Sequence, residues 1–228
     1  MYSNIFIFGC SHSAGTSYKG INIPFSRIIA NKLNISEIFD YSQNSAGNEF
    51  LRKSLITAFL NEEIRKNSLI LFQLTDYHRK SFELIDKRSN GEFSLEGNWG
   101  KVDNIIHILP GMFNRDDDDR DDEFTQFSDT YGARLSGEHY IMFDDIFSTY
   151  SILKLISSTI KNVDFQMIAW PEIKSPFDKY IPNELSNIMN WSLENKLTEN
   201  DIHDNGDFHL SQEGHEKLAE KIFNFLQK

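Results

Sequence analysis

A short apolar segment near the start of the chain ends in a group of small and reactive residues. The sequence IFIFGCSHSAG at residues 5–15 places a cysteine, two serines and a histidine directly after Gly9. A serine hydroxyl becomes an effective nucleophile when a neighbouring base removes its proton. If the apolar segment is a strand, Gly9 permits a sharp turn, and the next helix directs N–H groups and its positive dipole end at the group that Ser11 attacks. The pattern predicts Ser11 as a nucleophile.

A candidate base for that hydroxyl lies near the other end of the chain. Asp207 and His209 stand two residues apart, immediately before a predicted helix. Residues i and i+2 of an extended segment point to the same side, so Asp207 can orient the His209 ring and stabilise the imidazolium that forms when His209 takes the Ser11 proton. The pattern predicts a Ser-His-Asp triad. Asp204 and Asp201 are alternative acids if the loop folds differently.

Each of these reactive residues also has a structural interpretation. Serine often caps a helix N-terminus, so Ser11 can serve as an N-cap. Cys10 is an alternative nucleophile, although strand alternation favours its burial as a small apolar side chain. His12 is interpreted as a substrate contact or a surface residue. His215 falls on the apolar stripe of the last predicted helix and is interpreted as a core histidine.

Strands alternate with helices along most of the chain. The predicted strands are residues 4–8, 36–42, 68–74 and 163–170, and the predicted helices are residues 24–33, 48–60, 139–162 and the terminal segment after Ser211. The first strand is a continuous apolar run, which is typical of a strand covered on both faces. This order predicts one α/β domain over residues 1–228, a three-layer α/β/α sandwich around a mostly parallel, flavodoxin-like sheet of about five strands. Right-handed crossovers place the carboxyl ends of such strands at one ligand-binding edge.

The segment from about residue 82 to residue 137 breaks this alternation and is predicted to be an irregular acidic insertion near the substrate. Its start carries a hairpin pattern over residues 82–97 that turns at Asn90-Gly91. Residues 116–123 read DDDDRDDE and contribute more than half of the formal net charge of −11. That run is interpreted as a solvated loop, with weak calcium binding as the alternative.

Composition narrows the classes of function. With 228 residues, 39% of them hydrophobic, the chain can bury the core of one ordinary domain. An acidic chain without clustered Lys and Arg is not expected to bind nucleic acid. No apolar run approaches the roughly 20 residues that cross a bilayer, and the first residues lack the pattern of a signal peptide. We therefore expect a cytoplasmic protein with no membrane partner. A single cysteine excludes an internal disulfide and a Cys-based zinc cluster.

Three segments resemble the motifs of the SGNH/GDSL hydrolases. The first motif of that family is a strand followed by Gly-Asp-Ser, which Gly9-Cys10-Ser11 matches with cysteine in the Asp position. The second carries a glycine whose N–H stabilises an oxyanion, and Gly47 in QNSAGNEF fits it. The last carries Asp and His before the terminal helix, as GDFHLSQEGHEKLAEKI does. The motifs stand in the family's order from one end of the chain to the other.

The third motif departs from the family pattern. Its usual form is Gly-x-Asn-Asp, whose Asn donates to the oxyanion, but residues 73–76 read QLTD with Thr75 in the Asn position. A threonine hydroxyl can donate one hydrogen bond but reaches less far, and Asn48 is an alternative amide donor. The resemblance therefore implies an oxyanion held by the N–H groups of Ser11 and Gly47 with Asn48 or Thr75. Loss of one such donor typically costs about 10²–10³ in rate.

The resemblance implies an ester hydrolase of the esterase or O-deacetylase type. Its expected partner is a small-molecule or carbohydrate ester, and it needs no cofactor and no metal. The altered third motif and Asp–His spacing favour a first alternative, a non-catalytic binding module. A second alternative is an O-acyltransferase with the same triad, in which a sugar takes the place of water. The substrate and the oligomeric state stay open.

Overall fold

Strands and helices alternate along the protein as the sequence predicts. The computed structural model describes residues 2–17, 20–44, 46–75, 80–83, 105–108, 138–169, 201 and 209–227. In chain order the elements are β1 (Asn4–Phe8), α1 (Ser11–Ala14), β2 (Thr16–Ser17), β3 (Gly20–Ile21), α2 (Phe25–Lys32), β4 (Glu37–Asp40), α3 (Asn48–Leu60), β5 (Ser68–Leu74), β6 (Lys80–Glu83), β7 (Ile105–Ile108), α4 (Glu138–Thr159), β8 (Asp164–Ala169) and α5 (Gln212–Leu226).

A parallel sheet with the strand order β4-β1-β5-β8 forms the centre of the protein. Neighbouring strands run in the same direction, and β1 lies between β4 and β5. The register pairs Phe8 with Phe72, so the carboxyl ends of β1 and β5 lie side by side. The predicted mostly parallel α/β fold is confirmed. The described residues supply four strands to this sheet, where about five were predicted.

Side chains that alternate along β1 divide the core into two parts. Ile5 and Ile7 pack with α2 and α5 on one face of the sheet. Phe6 and Phe8 pack with α3 and α4 on the other face. Every residue of β1 is buried, which explains why this strand is one continuous apolar run rather than an alternating one. The three predicted layers are therefore present.

Two predicted features of the C-terminal helix are confirmed. Ser211 caps α5, because its hydroxyl accepts a hydrogen bond from the Gly214 N–H at 3.0 Å. His215 is buried, and its Nδ1 accepts a hydrogen bond from the N–H of Phe25, the first residue of α2, at 3.2 Å. The interpretation of His215 as a core histidine holds, since its ring joins two helices of the same layer.

β6 pairs with a segment beyond the predicted hairpin. Phe82 pairs with Ile106 and Glu83 pairs with Ile105 in an antiparallel ribbon. The predicted turn at Asn90-Gly91, the acidic run and most of the predicted insertion lie outside the described residues. Within the described part of the chain, no helix combines the length and apolar character that a membrane span requires.

Two leucines of α4 test how this helix packs against the core. Leu153 is fully buried, whereas Leu155, two residues later, is 59% exposed. We expect Leu153→Ala to lower the free energy of unfolding by about 2–5 kcal/mol, because it leaves a cavity against α3. Leu155→Ala, the control, should change it by no more than about 0.5 kcal/mol. Urea unfolding measures both, and equal midpoints for the two variants would contradict this packing.

Candidate active site

The turn after β1 presents Ser11 at the carboxyl edge of the sheet. Cys10 is the N-cap of α1, and Ser11 is the first residue of this single helical turn. The N–H groups of Ser13 and Ala14 donate to the Cys10 carbonyl oxygen at 3.0 and 3.1 Å. Gly15 ends the turn in the left-handed conformation, with φ of 74°. Because Cys10 occupies the cap position, the alternative interpretation of Ser11 as an N-cap is wrong.

Gln73, near the carboxyl end of β5, holds this turn in place. Its side chain accepts a hydrogen bond from Ser13 Oγ at 2.5 Å and donates to Cys10 Sγ at 3.3 Å. A Cβ atom on Gly9 would lie 2.2 Å from Ser13 Oγ and 2.9 Å from Gln73 Oε1, so this close approach requires glycine. Cys10 is fully buried, as predicted, and its sulfur faces Gln73 rather than solvent.

The Ser11 hydroxyl contacts the His209 ring. Ser11 Oγ lies 2.7 Å from His209 Nε2, although the two residues are 198 positions apart in the chain. Ser11 is 6% exposed and His209 is partly exposed. This distance lies within the range for a hydrogen bond and for proton transfer between a nucleophile and its general base. The structure therefore brings together the two residues that the sequence predicts as nucleophile and base.

Hydrogen bonds beside this contact join the same two parts of the chain. Asn22 Nδ2 donates to the Leu210 carbonyl oxygen at 3.0 Å, next to His209. The Ile23 N–H donates to Gln212 Oε1 at 2.9 Å. The segment that follows the Ser11 turn is thereby held against the segment that carries His209. The approach of Ser11 to His209 thus follows from the fold and not from their two side chains alone.

His12 packs directly against the candidate base. The ring centroids of His12 and His209 are 4.9 Å apart and the rings are inclined at 35°. His12 is only 3% exposed, so its interpretation as a surface residue is wrong. Its ring forms a wall beside His209 that helps to define where the His209 imidazole can lie.

Of the three candidate acids, Asp207 and Asp204 lie outside the described residues. The third, Asp201, is buried and forms an ion pair with Lys217 of α5. Its carbonyl oxygen also accepts a hydrogen bond from the Ser211 N–H at 3.0 Å. These contacts fasten Asp201 to the N-terminal part of α5.

The predicted oxyanion residues meet at the N-terminus of α3. Gly47 is the N-cap of α3 and Asn48 is its first residue. Asn48 Nδ2 donates to the Thr75 carbonyl oxygen and to Asp145 Oδ2, both at 3.1 Å, and Asn48 Oδ1 accepts from the Thr75 N–H at 2.7 Å. Thr75 Oγ1 donates to the Ala46 carbonyl oxygen at 3.0 Å. Either side chain would have to give up one of these hydrogen bonds to reach an oxyanion.

Sequence reasoning missed two residues that support the site. Gln73 is a buried amide inside the apolar strand β5. A glutamine within an apolar strand is the sequence feature that could have indicated a structural role. Asp145 is buried on α4, where it shares the stripe of Thr149 and Leu153 at helical spacing. A charged residue on the buried stripe of a helix calls for a partner, and Arg52 provides it at 2.6 Å.

Comparison with known proteins gives similarity in structure only. No protein-family model matches the sequence, and no curated protein matches it. A protein from Desulfitobacterium hafniense described as lipolytic and of the G-D-S-L family is 10% identical with a TM-score of 0.48, and the match covers 97% of this chain and 98% of that one. The lipase/acylhydrolase from Enterococcus faecalis is 13% identical with a TM-score of 0.45, covering 100% and 96%.

A protein from Slackia heliotrinireducens described as an SGNH hydrolase is 11% identical with a TM-score of 0.45, covering 99% of this chain and 100% of that one. The descriptions of the Desulfitobacterium and Slackia proteins use the names G-D-S-L and SGNH, and that of the Enterococcus protein names only its activity. Similarity at this level assigns no role to any residue. The chemistry proposed for this protein therefore rests on the contacts of its own side chains.

The close approach of α5 to Asp201 can be tested at Gly214. A Cβ atom there would lie 2.0 Å from the Asp201 carbonyl oxygen. Alanine is normally favoured over glycine inside a helix by about 1 kcal/mol. We nevertheless expect Gly214→Ala to lower the free energy of unfolding by about 1–3 kcal/mol, because the backbone of Asp201 must move.

Urea unfolding measures this effect, with Glu216→Ala, at an exposed position of the same helix, as the control. The control should change the free energy of unfolding by no more than about 0.5 kcal/mol. A Gly214→Ala variant more stable than the wild type would show that α5 does not pack against Asp201 in this way.

Proposed function

We propose that the protein is a hydrolase of ester bonds in which Ser11 is the nucleophile and His209 is its general base. The 2.7 Å distance between Ser11 Oγ and His209 Nε2 carries this proposal. A hydroxyl that only stabilises the fold needs no imidazole beside it at a partly exposed edge of the sheet. Nucleophilic catalysis by serine does need a base at that place, which takes the proton as the hydroxyl attacks, and an imidazole can serve as that base.

The reaction proceeds through an acyl-enzyme. Ser11 Oγ attacks the ester carbonyl carbon while His209 Nε2 takes the hydroxyl proton. The tetrahedral intermediate collapses, the bond from the carbonyl carbon to the leaving oxygen breaks, and His209 gives its proton to the departing alcohol. Water then attacks the acyl-enzyme and passes a proton to His209, which returns it to Ser11 Oγ as the acid leaves.

Backbone N–H groups are the proposed donors to the oxyanion. Ser11 is the first residue of α1, so its N–H has no acceptor within that helix. The Gly47 N–H, at the cap of α3, is the second proposed donor. Asn48 and Thr75 then support Gly47, because their own donors are engaged with the Thr75 carbonyl, Asp145 and Ala46.

Asp207 is proposed as the acid of the triad, with Asp204 as the alternative. His209 Nε2 faces Ser11, so an acid that orients the ring has to bond Nδ1 and fix the proton there. This arrangement needs no cofactor, and the proposed substrate is a small-molecule or carbohydrate ester.

A fluorophosphonate probe and a short-chain chromogenic ester test the proposed nucleophile. We expect both to react with the wild-type protein. Ser11→Ala should abolish labelling and ester hydrolysis, and His209→Gln should lower the rate of hydrolysis by at least about 10³, because Ser11 loses its base. Ser36→Ala, at an exposed serine, is the matched control and should leave both signals intact.

Two outcomes would replace this proposal. Folded wild-type protein that is neither labelled nor active would favour a binding module on the same fold, a function that suits the engaged donors of Asn48 and Thr75. Activity that survives Ser11→Ala but is lost in Cys10→Ala would transfer the role of nucleophile to Cys10.

A further inference from the structure

A buried acid on α4 reaches the N-terminus of α3. Asp145 is 4% exposed, and its Oδ2 accepts a hydrogen bond from Asn48 Nδ2 at 3.1 Å. Its other oxygen, Oδ1, accepts from Arg52 Nη1 at 2.6 Å. Asn48 and Arg52 are one turn apart on α3, so both oxygens of one carboxylate bind the first two turns of that helix.

The amide of Asn48 extends this contact to the end of β5. Its oxygen accepts from the Thr75 N–H and its nitrogen donates to the Thr75 carbonyl oxygen, as the backbone of a neighbouring strand would do. The Thr75 hydroxyl in turn donates to the Ala46 carbonyl oxygen. Both chain neighbours of Gly47, which are Ala46 and Asn48, are therefore fastened to Thr75.

Stability alone does not account for these polar groups. Apolar side chains already join the two helices, and Leu51, Leu55 and Leu153 share one core cluster. Replacement of a buried ion pair by apolar residues of similar volume is often neutral or stabilising, because the charges lose their hydration. A buried pair that also orients an amide beside Gly47 is better explained by the geometry it imposes.

We infer that Asp145 is a positioning residue, which holds the Gly47 N–H through Asn48 at the place where the oxyanion forms. This inference rests on the proposed function. An oxyanion donor must lie about 2.7–3.1 Å from the developing charge, and a displacement of about 1 Å can cost on the order of 10² in rate. Because the Gly47 N–H is a proposed donor, the proposed reaction depends on how firmly the Gly47 peptide is held.

Three variants separate this role from a general loss of structure. Asp145→Ala removes the acceptor of Asn48, and we expect kcat for a short-chain ester to fall by about 10- to 100-fold, with KM within about twofold of the wild-type value. Asp145→Asn keeps an acceptor oxygen but removes the charge opposite Arg52. It should lower the melting temperature while kcat stays within about threefold of the wild-type value.

The matched control is Asp144→Asn, the same substitution at the exposed neighbouring residue, which should change neither kcat nor melting temperature. Kinetics are measured well below the melting temperature of each variant. If Asp145→Ala does not fold, Asp145→Leu replaces it, because leucine is close to aspartate in size and has no acceptor. A kcat of Asp145→Asn as low as that of Asp145→Ala would overturn the inference, since charge rather than the acceptor would then matter.

A double-mutant cycle tests whether Asp145 acts through Asn48. In the Asn48→Ala background, Asp145→Ala should lower kcat by less than about twofold, and fully additive effects would contradict the inference. Suppose that the wild type hydrolyses esters and needs Ser11 to do so, but Asp145→Ala keeps the full kcat. That result overturns this inference and leaves the proposed function intact. A wild type that neither hydrolyses esters nor reacts at Ser11 overturns both.

Discussion

The contact between Ser11 and His209 depends on how the C-terminal helix docks on the sheet. α5 packs with α2 on the face of the sheet formed by Ile5 and Ile7, and His215 joins the two helices through the Phe25 N–H. This docking carries His209 to the carboxyl end of β1, where the Ser11 turn begins. The docking of α5 therefore determines the arrangement of the site. Ser11 and His209 are far apart in the chain, so no local contact could bring them together.

Buried polar side chains hold the site from several directions. Gln73 fixes the Ser11 turn through Ser13 and Cys10. Thr75, two residues further along the same chain segment, fixes the N-terminus of α3. The end of β5 therefore contacts both the turn that carries Ser11 and the N-terminus of α3, because β5 is the direct neighbour of β1 in the sheet. Buried amides and hydroxyls suit this use, since their hydrogen bonds have narrow geometry and are costly to break.

Much of the fold was predictable because helices cover both sides of the sheet. Buried strands are then apolar throughout and helices are apolar on one face, and both patterns are visible in the sequence. Strand 68–74 and helix 48–60 begin and end where periodicity placed them. The Ser211 cap of the last helix was also predictable from its residue type alone. The partner of β6 was not, because an Asn-Gly pair indicates a turn but does not specify which later segment returns to pair.

The sequence by itself determined which residues carry reactive groups, their order along the chain and the strand ends at which they stand. Ser11 and His209 were predicted in that way, and Gly47 was predicted from the resemblance of its segment to a family motif. Only the tertiary structure decided the contacts of each group: Cys10 rather than Ser11 takes the N-cap position of α1, His12 is buried beside His209, and Asn48 turns its amide to Thr75 and Asp145. The physical reason is that a hydrogen bond forms with whichever group packing brings within about 3 Å. For this site those groups come from elements far apart in the chain, so local sequence patterns do not encode them.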